Sequence, residues 1–195
     1  MNKRPNIKIG LFGGTFDPIH NGHLITIQNV LEKRKLDKVI FIPCNISPHK
    51  TIRNVSSPNH RLNMLKLAIS NFPKFEFSDY EINKGGISYS IDTINHFKMT
   101  YPKIELIIGY DNFNVFDKWH KPDDIINECT VLVIKRKENA ELKKNKYLKS
   151  VIILDTPTID ISSTEIRKRI KNGKYIDFFV PQKVRQYIIK NHLYR

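Results

Sequence analysis

Ile7-Lys8-Ile9-Gly10-Leu11-Phe12-Gly13-Gly14-Thr15-Phe16-Asp17-Pro18-Ile19-His20-Asn21-Gly22-His23 holds the transition on which the fold turns. Its first six residues are a short apolar run closed by a glycine pair, the pattern of a buried strand. From Asn21-Gly22-His23 onward, Leu24, Ile27, Val30 and Leu31 recur at spacings of three and four, so a helix with one apolar face follows. Paired glycines let a ligand approach the backbone closely, and a helix start offers N–H groups to an anion. The segment between strand and helix therefore reads as a phosphate cradle. It is not a P-loop, because no Gly-Lys-Ser/Thr follows, and it is not GxGxxG.

Outward from this unit the same alternation continues. Val39-Ile40-Phe41-Ile42, Phe75-Glu76-Phe77, Ile104-Glu105-Leu106-Ile107-Ile108, Val131-Leu132-Val133-Ile134 and Val151-Ile152-Ile153-Leu154 read as strands. Between them, Pro58 opens a helix carrying Leu62, Leu65, Ala68 and Ile69, and a helix is expected from Ser90 to Met99. Continuous apolar strands alternating with helices imply a parallel sheet covered on both faces. Near the C-terminus, Ser162 with Glu165 three residues on reads as a capping box and Gly173 as the residue just past a helix end; a last helix runs from about Pro181 to Asn191. The expected fold class is α/β: a Rossmann-like, doubly wound parallel sheet in a single domain, 1–195, with residues from about 160 to 195 as a small C-terminal helical element.

Composition narrows the function classes. The 195 residues carry 33 Lys+Arg against 19 Asp+Glu, a formal net charge of +14. The lysines are spread along the chain, with local density at Lys135-Arg136-Lys137 and Lys143-Lys144-Asn145-Lys146, so the excess reads as a solvated basic surface more than a nucleic-acid footprint. No run reaches the roughly 18–20 apolar residues of a membrane span, and the N-terminus lacks a secretory apolar stretch, so a cytoplasmic chain is expected. Cys44 and Cys129 stand in no CxxC or Cys/His spacing, which suggests neither a disulfide framework nor a zinc site.

Ligands of such sheets bind beyond the carboxyl ends of the strands, and the unusual residues stand there: the Gly13–Pro18 segment, Asn45 to Lys50, and Gly109-Tyr110-Asp111. His20 and His23 bracket Gly22 near a helix start, where two imidazoles can donate to phosphoryl oxygens and the glycine leaves room for the ligand. A metal site is the weaker reading of this pair, which has no third ligand nearby. In Ile161-Ser162-Ser163-Thr164-Glu165-Ile166-Arg167, hydroxyls and amides gather at a second helix N-terminus, and Arg167 lies about one turn beyond Thr164, within reach of a phosphate.

GGTFDPIHNGHL with the downstream ISSTEIR closely resembles the HxGH nucleotidyltransferase superfamily and, within it, the bacterial nicotinate-nucleotide adenylyltransferases. Ser47-Pro48-His49-Lys50 is similar to that family's Pro-Pro-His-Lys loop, Ser88-Tyr89-Ser90-Ile91-Asp92-Thr93 to its Ser-Tyr-Thr-Ile-Asp-Thr segment, and Ile108-Gly109-Tyr110-Asp111 with Trp119 to its Ile-Gly-x-Asp and tryptophan. Phe179-Val180-Pro181 and Leu193-Tyr194 fit its C-terminus. The departures, Ser47 for proline, Ser90 for threonine and the neighbourhood of Trp119, fall on the acceptor side.

The resemblance implies transfer of AMP from ATP to nicotinate mononucleotide, with Mg²⁺ accompanying ATP and no dedicated protein metal cage. It implies catalytic roles for His20, His23, Lys50 and Arg167, and ATP contacts from Gly13, Gly14, Thr15, Phe16, Gly109, Asp111, Ser163 and Thr164. On the acceptor it implies Asn45 at the phosphate, Trp119 stacked on the ring, and Tyr89, Ser90 and Thr93 at the carboxylate. By themselves, Trp119 is an ordinary packing residue and Asp111 an ordinary helix cap. Its partners are then ATP and nicotinate mononucleotide, with neither nucleic acid nor membrane. Two other readings stand beside this one. A sister nucleotidyltransferase would use nicotinamide mononucleotide or phosphopantetheine as acceptor, and an inactive basic nucleic-acid-binding protein would show a concentrated basic face and steep salt dependence.

Overall fold

A strand that is apolar at every position can stay in a sheet only if both of its faces are covered. The computed structural model, which describes residues 6–48, 55–135 and 145–195, meets that demand. Lys50 and most of the two lysine-rich stretches lie outside the described residues. The elements run β1 (Lys8–Gly14), α1 (Asn21–Arg34), β2 (Lys38–Pro43), α2 (Pro58–Ile69), β3 (Phe75–Phe77), α3 (Tyr80–Lys84), α4 (Ser90–Lys98), β4 (Lys103–Gly109), α5 (Tyr110–Phe113), α6 (Pro122–Glu128), β5 (Thr130–Ile134), β6 (Val151–Leu154), α7 (Ser163–Lys171) and α8 (Gln182–Lys190). All six strands pair in parallel in the order β3-β2-β1-β4-β5-β6. This is the doubly wound, Rossmann-like order, in which chain direction across the sheet reverses between β1 and β4. Among the described residues no helix is long and apolar enough to cross a membrane.

Strand periodicity sorts the core into two layers. Val39, Phe41, Ile107, Leu132 and Leu154 pack with Leu24, Ile27 and Val30 of α1 and Met64 and Leu65 of α2. Their neighbours Ile40, Ile42, Leu106, Ile108 and Val133 face the opposite way, against Ile91 and Ile94 of α4, Phe113 of α5 and Ile125 of α6. The C-terminal helices are not an appendage to this plan. Ile166 of α7 and Val184 and Ile188 of α8 are almost wholly buried in the same layer as α1 and α2. Of the capping box expected there, the Ser162 half forms, its Oγ accepting from Glu165 N at 3.1 Å, with no return bond from the Glu165 side chain among the described residues; Gly173 takes a φ of 67° past the end of α7. The periodicity did not reveal α3 and α6, whose 5 and 7 residues span less than two turns or barely two.

Two ion clusters built on strand residues support the sheet. Glu105 of β4, 3% exposed, receives Arg34 in a two-point grip at 2.6 and 3.0 Å and Lys8 at 2.8 Å. Burial pushes this carboxyl up, but the bonds to Arg34 and Lys8 outweigh it and hold it below the usual carboxylate range. Lys38 of β2 reaches Glu76 at 2.8 Å and the Tyr101 hydroxyl at 3.0 Å.

If α7 belongs to the main core, Ile166→Ala should cost about 2–5 kcal/mol, the usual range for deleting a buried isoleucine side chain, and leave a single cooperative transition in urea. An unchanged midpoint would mean that the helix folds as an appendage. Because the folded Glu105 carboxyl is depressed, its stabilisation is present above the unfolded value of about 4.3 and lost as pH falls through the folded value. Unfolding midpoints of wild type and Glu105→Gln should therefore differ at pH 7 and draw together as pH falls below the unfolded carboxylate value.

Candidate active site

At the end of β1 the chain has to leave the sheet and start α1 within six residues, and its buried polar groups need partners on the way. His20 is the N-cap of α1, with extended backbone. Its Nδ1 accepts from His23 N, and His23 Nδ1 accepts in return from His20 N, each at 3.3 Å. This is a capping box built from two histidines. Accepting at Nδ1 puts the proton of each neutral ring on Nε2, and the rings stack with centroids 3.5 Å apart. Phe16 meets His23 edge-on at 5.3 Å and packs on Phe12 and Phe41.

The glycines do different jobs. A Cβ on Gly14 would stand 2.8 Å from the Phe16 ring, so Gly14 admits Phe16, whose φ is 50°. A Cβ on Gly22 would meet His20 Nδ1 at 3.1 Å and Ile159 at 3.3 Å. Gly22 thus makes room for the paired histidine and for Ile159, where the sequence suggested room for a ligand. Of these three glycines Gly13 alone opens on empty space, with nothing within 4 Å of an added Cβ.

The second motif is bonded directly to the first. Ser163 Oγ donates to Pro18 O at 2.8 Å, Arg167 Nη1 to Asp17 O at 2.7 Å, and Arg167 Nη2 to Thr164 Oγ1 at 3.2 Å. The Asp17–Pro18 peptide is cis. Two residues to which the sequence reading gave no role at the site complete the loop. Arg61 of α2, 1% exposed, donates to Thr15 O at 2.9 Å, Ser56 O at 3.1 Å and Asn45 O at 3.4 Å. Tyr194 donates its hydroxyl to Asp17 Oδ1 at 2.6 Å, while Asp17 Oδ2 accepts from Ser56 N at 3.2 Å. Burial, then the Asp17 charge, pushes the Tyr194 hydroxyl far above its ordinary value, so it stays a donor.

Beside this loop, at the carboxyl ends of β1, β2 and β4, lies a cleft of about 110 Å³. Gly13, Gly14 and Thr15 form one wall, Tyr89, Ser90 and Trp119 another, and Ser47 and Pro48 border it from the loop after β2. Trp119 also packs on Phe116 at 5.2 Å, and the Tyr89 ring lies 4.4 Å from that of His120. Gly109 caps α5, and Asp111 stands exposed in its first turn. Two expected acceptor residues are occupied otherwise. Asn45 Nδ2 donates to Gly86 O at 3.0 Å. Thr93 is buried, and its Oγ1 donates to Glu81 Oε1 at 2.6 Å. Glu81, Ser88, Asn112 and His120 line the cleft as well. Of these four, Ser88 and His120 stand within segments that the sequence had marked, and Glu81 and Asn112 do not. Cys44 is half-buried in the cleft with Sγ 3.7 Å from Thr15 Oγ1. Among the described residues no group of three or more His, Cys, Asp or Glu could hold a metal ion.

Residues 11–169 match the cytidylyltransferase-like family. The chain is 42% identical to a probable nicotinate-nucleotide adenylyltransferase of Clostridium tetani, over 96% of this chain and 99% of that one. It is 39% identical to a protein of the same description from Caldicellulosiruptor saccharolyticus, over 97% and 100%. A solved structure, a Plasmodium falciparum nicotinic acid mononucleotide adenylyltransferase complexed with APC, shares the fold with a TM-score of 0.74 at 21% identity, over 96% of each chain. With the HxGH and ISSTEIR segments joined at one loop and this likeness running the length of the chain, the protein belongs to the nicotinate-nucleotide adenylyltransferases of the cytidylyltransferase-like family.

Proposed function

We propose that the chain transfers the adenylyl group of ATP to nicotinate mononucleotide, forming nicotinic acid adenine dinucleotide and pyrophosphate on the way to NAD. The observation that carries this reading is the junction of the two phosphate motifs, Arg167 and Ser163 on the carbonyls of Asp17 and Pro18, beside a cleft walled by Tyr89 and Trp119.

The chemistry asks for positioning and charge stabilisation. An oxygen of the acceptor's 5′-phosphate, already anionic near neutral pH, attacks the α-phosphorus of ATP; a bond forms there as the bond to the bridging oxygen breaks, and pyrophosphate leaves with the electron pair. No general base is needed. Gly13, open to solvent, lets the triphosphate approach the strand end. His20 and His23 carry Nε2–H donors in their neutral form, and Arg167 brings a fixed positive charge to the same loop. These three, with Lys50 by resemblance, neutralise charge moving onto the leaving group. Phe16 holds His23 edge-on, Thr15, Ser163 and Thr164 add neutral hydroxyls, and Gly109 and Asp111 at the end of β4 take the adenosine portion.

The donor set fits Mg²⁺ only as an ion carried by ATP. Asp17, the buried carboxylate of the loop, is engaged by Tyr194 and Ser56, so phosphates and water would hold most of the ion's sites. When bound it would screen the phosphate charges against each other. On the acceptor side, Trp119 stacks against the pyridine ring, Tyr89 and Ser90 meet its carboxylate, and the Asn45 segment takes the mononucleotide phosphate.

Pyrophosphate release from ATP and Mg²⁺ should be fastest with nicotinate mononucleotide, measured beside nicotinamide mononucleotide and phosphopantetheine; preference for either of the others would replace the acceptor assignment. His23→Ala should lower kcat by about 10²–10³, the usual loss of one transition-state donor. It should lower stability by only about 1 kcal/mol, because it removes one half of a reciprocal cap. Retention of most of the activity would remove His23 from the mechanism. Trp119→Ala should raise the KM for the acceptor and leave the KM for ATP nearly unchanged; unchanged acceptor KM would make the residue purely structural.

A further inference from the structure

Glu81 is a carboxylic acid 8% exposed, set into the wall of the cleft rather than at the protein surface. It sits on α3, five residues long and packed against β2. Two segments meet at its side chain. Thr93 of α4 donates to Oε1 at 2.6 Å. The Ser88 hydroxyl stands close enough to pull the same carboxyl's protonation downward, and it accepts from Asn45 N at 2.9 Å, which ties this stretch to the loop after β2. Two further links run parallel to it, Ser88 N donating to Ile46 O at 2.9 Å and an Ile46–Ile87 bridge.

Stability alone does not call for an acid here. A buried carboxyl pays desolvation, and an apolar side chain of similar volume would fill the space at least as favourably. Burial does push the Glu81 carboxyl up, while the Thr93 and Ser88 hydroxyls and Lys84 pull it back, and Asp92 adds to the rise. An acid does one thing that an apolar residue cannot: it accepts from the Thr93 hydroxyl and so fixes the first turn of α4. That turn begins with Tyr89 and Ser90, which line the cleft together with Gly13 and Gly14.

We propose that Glu81 is an acceptor-positioning residue: by holding Thr93 it fixes the first turn of α4 and with it the Ser88–Ser90 wall against which the pyridine nucleotide docks, a wall that Ser88 ties to the Asn45–Pro48 loop. This rests on the acceptor reading given above. It also assigns Thr93 a part in acceptor binding without contact, through Glu81.

The test is steady-state kinetics of the full chain with ATP and nicotinate mononucleotide varied separately. Glu81→Gln keeps the shape but turns one acceptor oxygen into a donor facing a hydroxyl. It should raise the acceptor KM about tenfold, the loss of one hydrogen bond to a charged group, with the KM for ATP and kcat within about twofold. Thr93→Val should give the same acceptor defect, Thr93→Ser should restore most of it, and the Glu81→Gln/Thr93→Val pair should be no worse than either alone, because both act through one bond. The threonine pair keeps the test available if Glu81→Gln folds poorly. An equal rise in both KM values, or a serine variant no better than valine, would overturn the inference in favour of a general packing role. Acceptor KM unchanged in a folded Glu81→Gln or Thr93→Val would overturn it outright. Failure of the wild type to use nicotinate mononucleotide would overturn the acceptor reading itself, a result distinct from these.

Discussion

Thr15, Asp17 and Pro18 are nearly consecutive, and the carbonyl of each is met by a side-chain donor from elsewhere in the chain: Arg61, Arg167 and Ser163. A loop leaving the middle of a covered sheet has no strand partner for these groups and little water, so without donors each carbonyl would pay a desolvation penalty of about 1–3 kcal/mol. Satisfying them has a structural result. α2, α7 and the C-terminal turn are drawn onto one short loop, and that loop delivers His20 and His23 to the start of α1.

The same constraint explains how the site straddles the sheet. The helices that carry the phosphate-binding motifs, α1 and α7, pack in one layer, whereas α4, α5 and the turn bearing Trp119 pack in the other. Neither layer contains a whole site. They meet only past the strand ends at the β1–β4 reversal, where the chain turns from winding one way to winding the other and leaves a crevice. Gly13 and Gly14 lie at that crevice, on the one strand bonded to both halves of the sheet.

Much of this was legible in the sequence because the governing signals are local. Apolar runs such as Ile104–Ile108 and Val131–Ile134 announce covered strands, and Ser162 with Gly173 brackets α7 by cap chemistry alone. The motif residues were equally legible, since the glycine pair and the histidines stand next to each other. What escaped depends on distant partners. Arg61 and Glu81 are charged residues with no local signal of burial around them; only the folded chain shows that one closes three carbonyls and the other accepts from the Thr93 hydroxyl. Gly22 shows the converse. Its small size is explained by a neighbour two residues away and by Ile159, far off in sequence, a pairing that no window along the chain contains.

The bond from Tyr194 to Asp17 joins residues 177 positions apart, and that from Arg167 joins residues 150 apart. Contacts of such separation form only after most of the chain has been ordered, and they disappear when any intervening piece comes loose. The loop that bears the histidines therefore has little stability of its own to draw on. Local opening of the last helix, whether by thermal fraying or by a protease that catches it open, would be registered at the far end of the sequence as a disordered active-site loop, well before the sheet itself had melted.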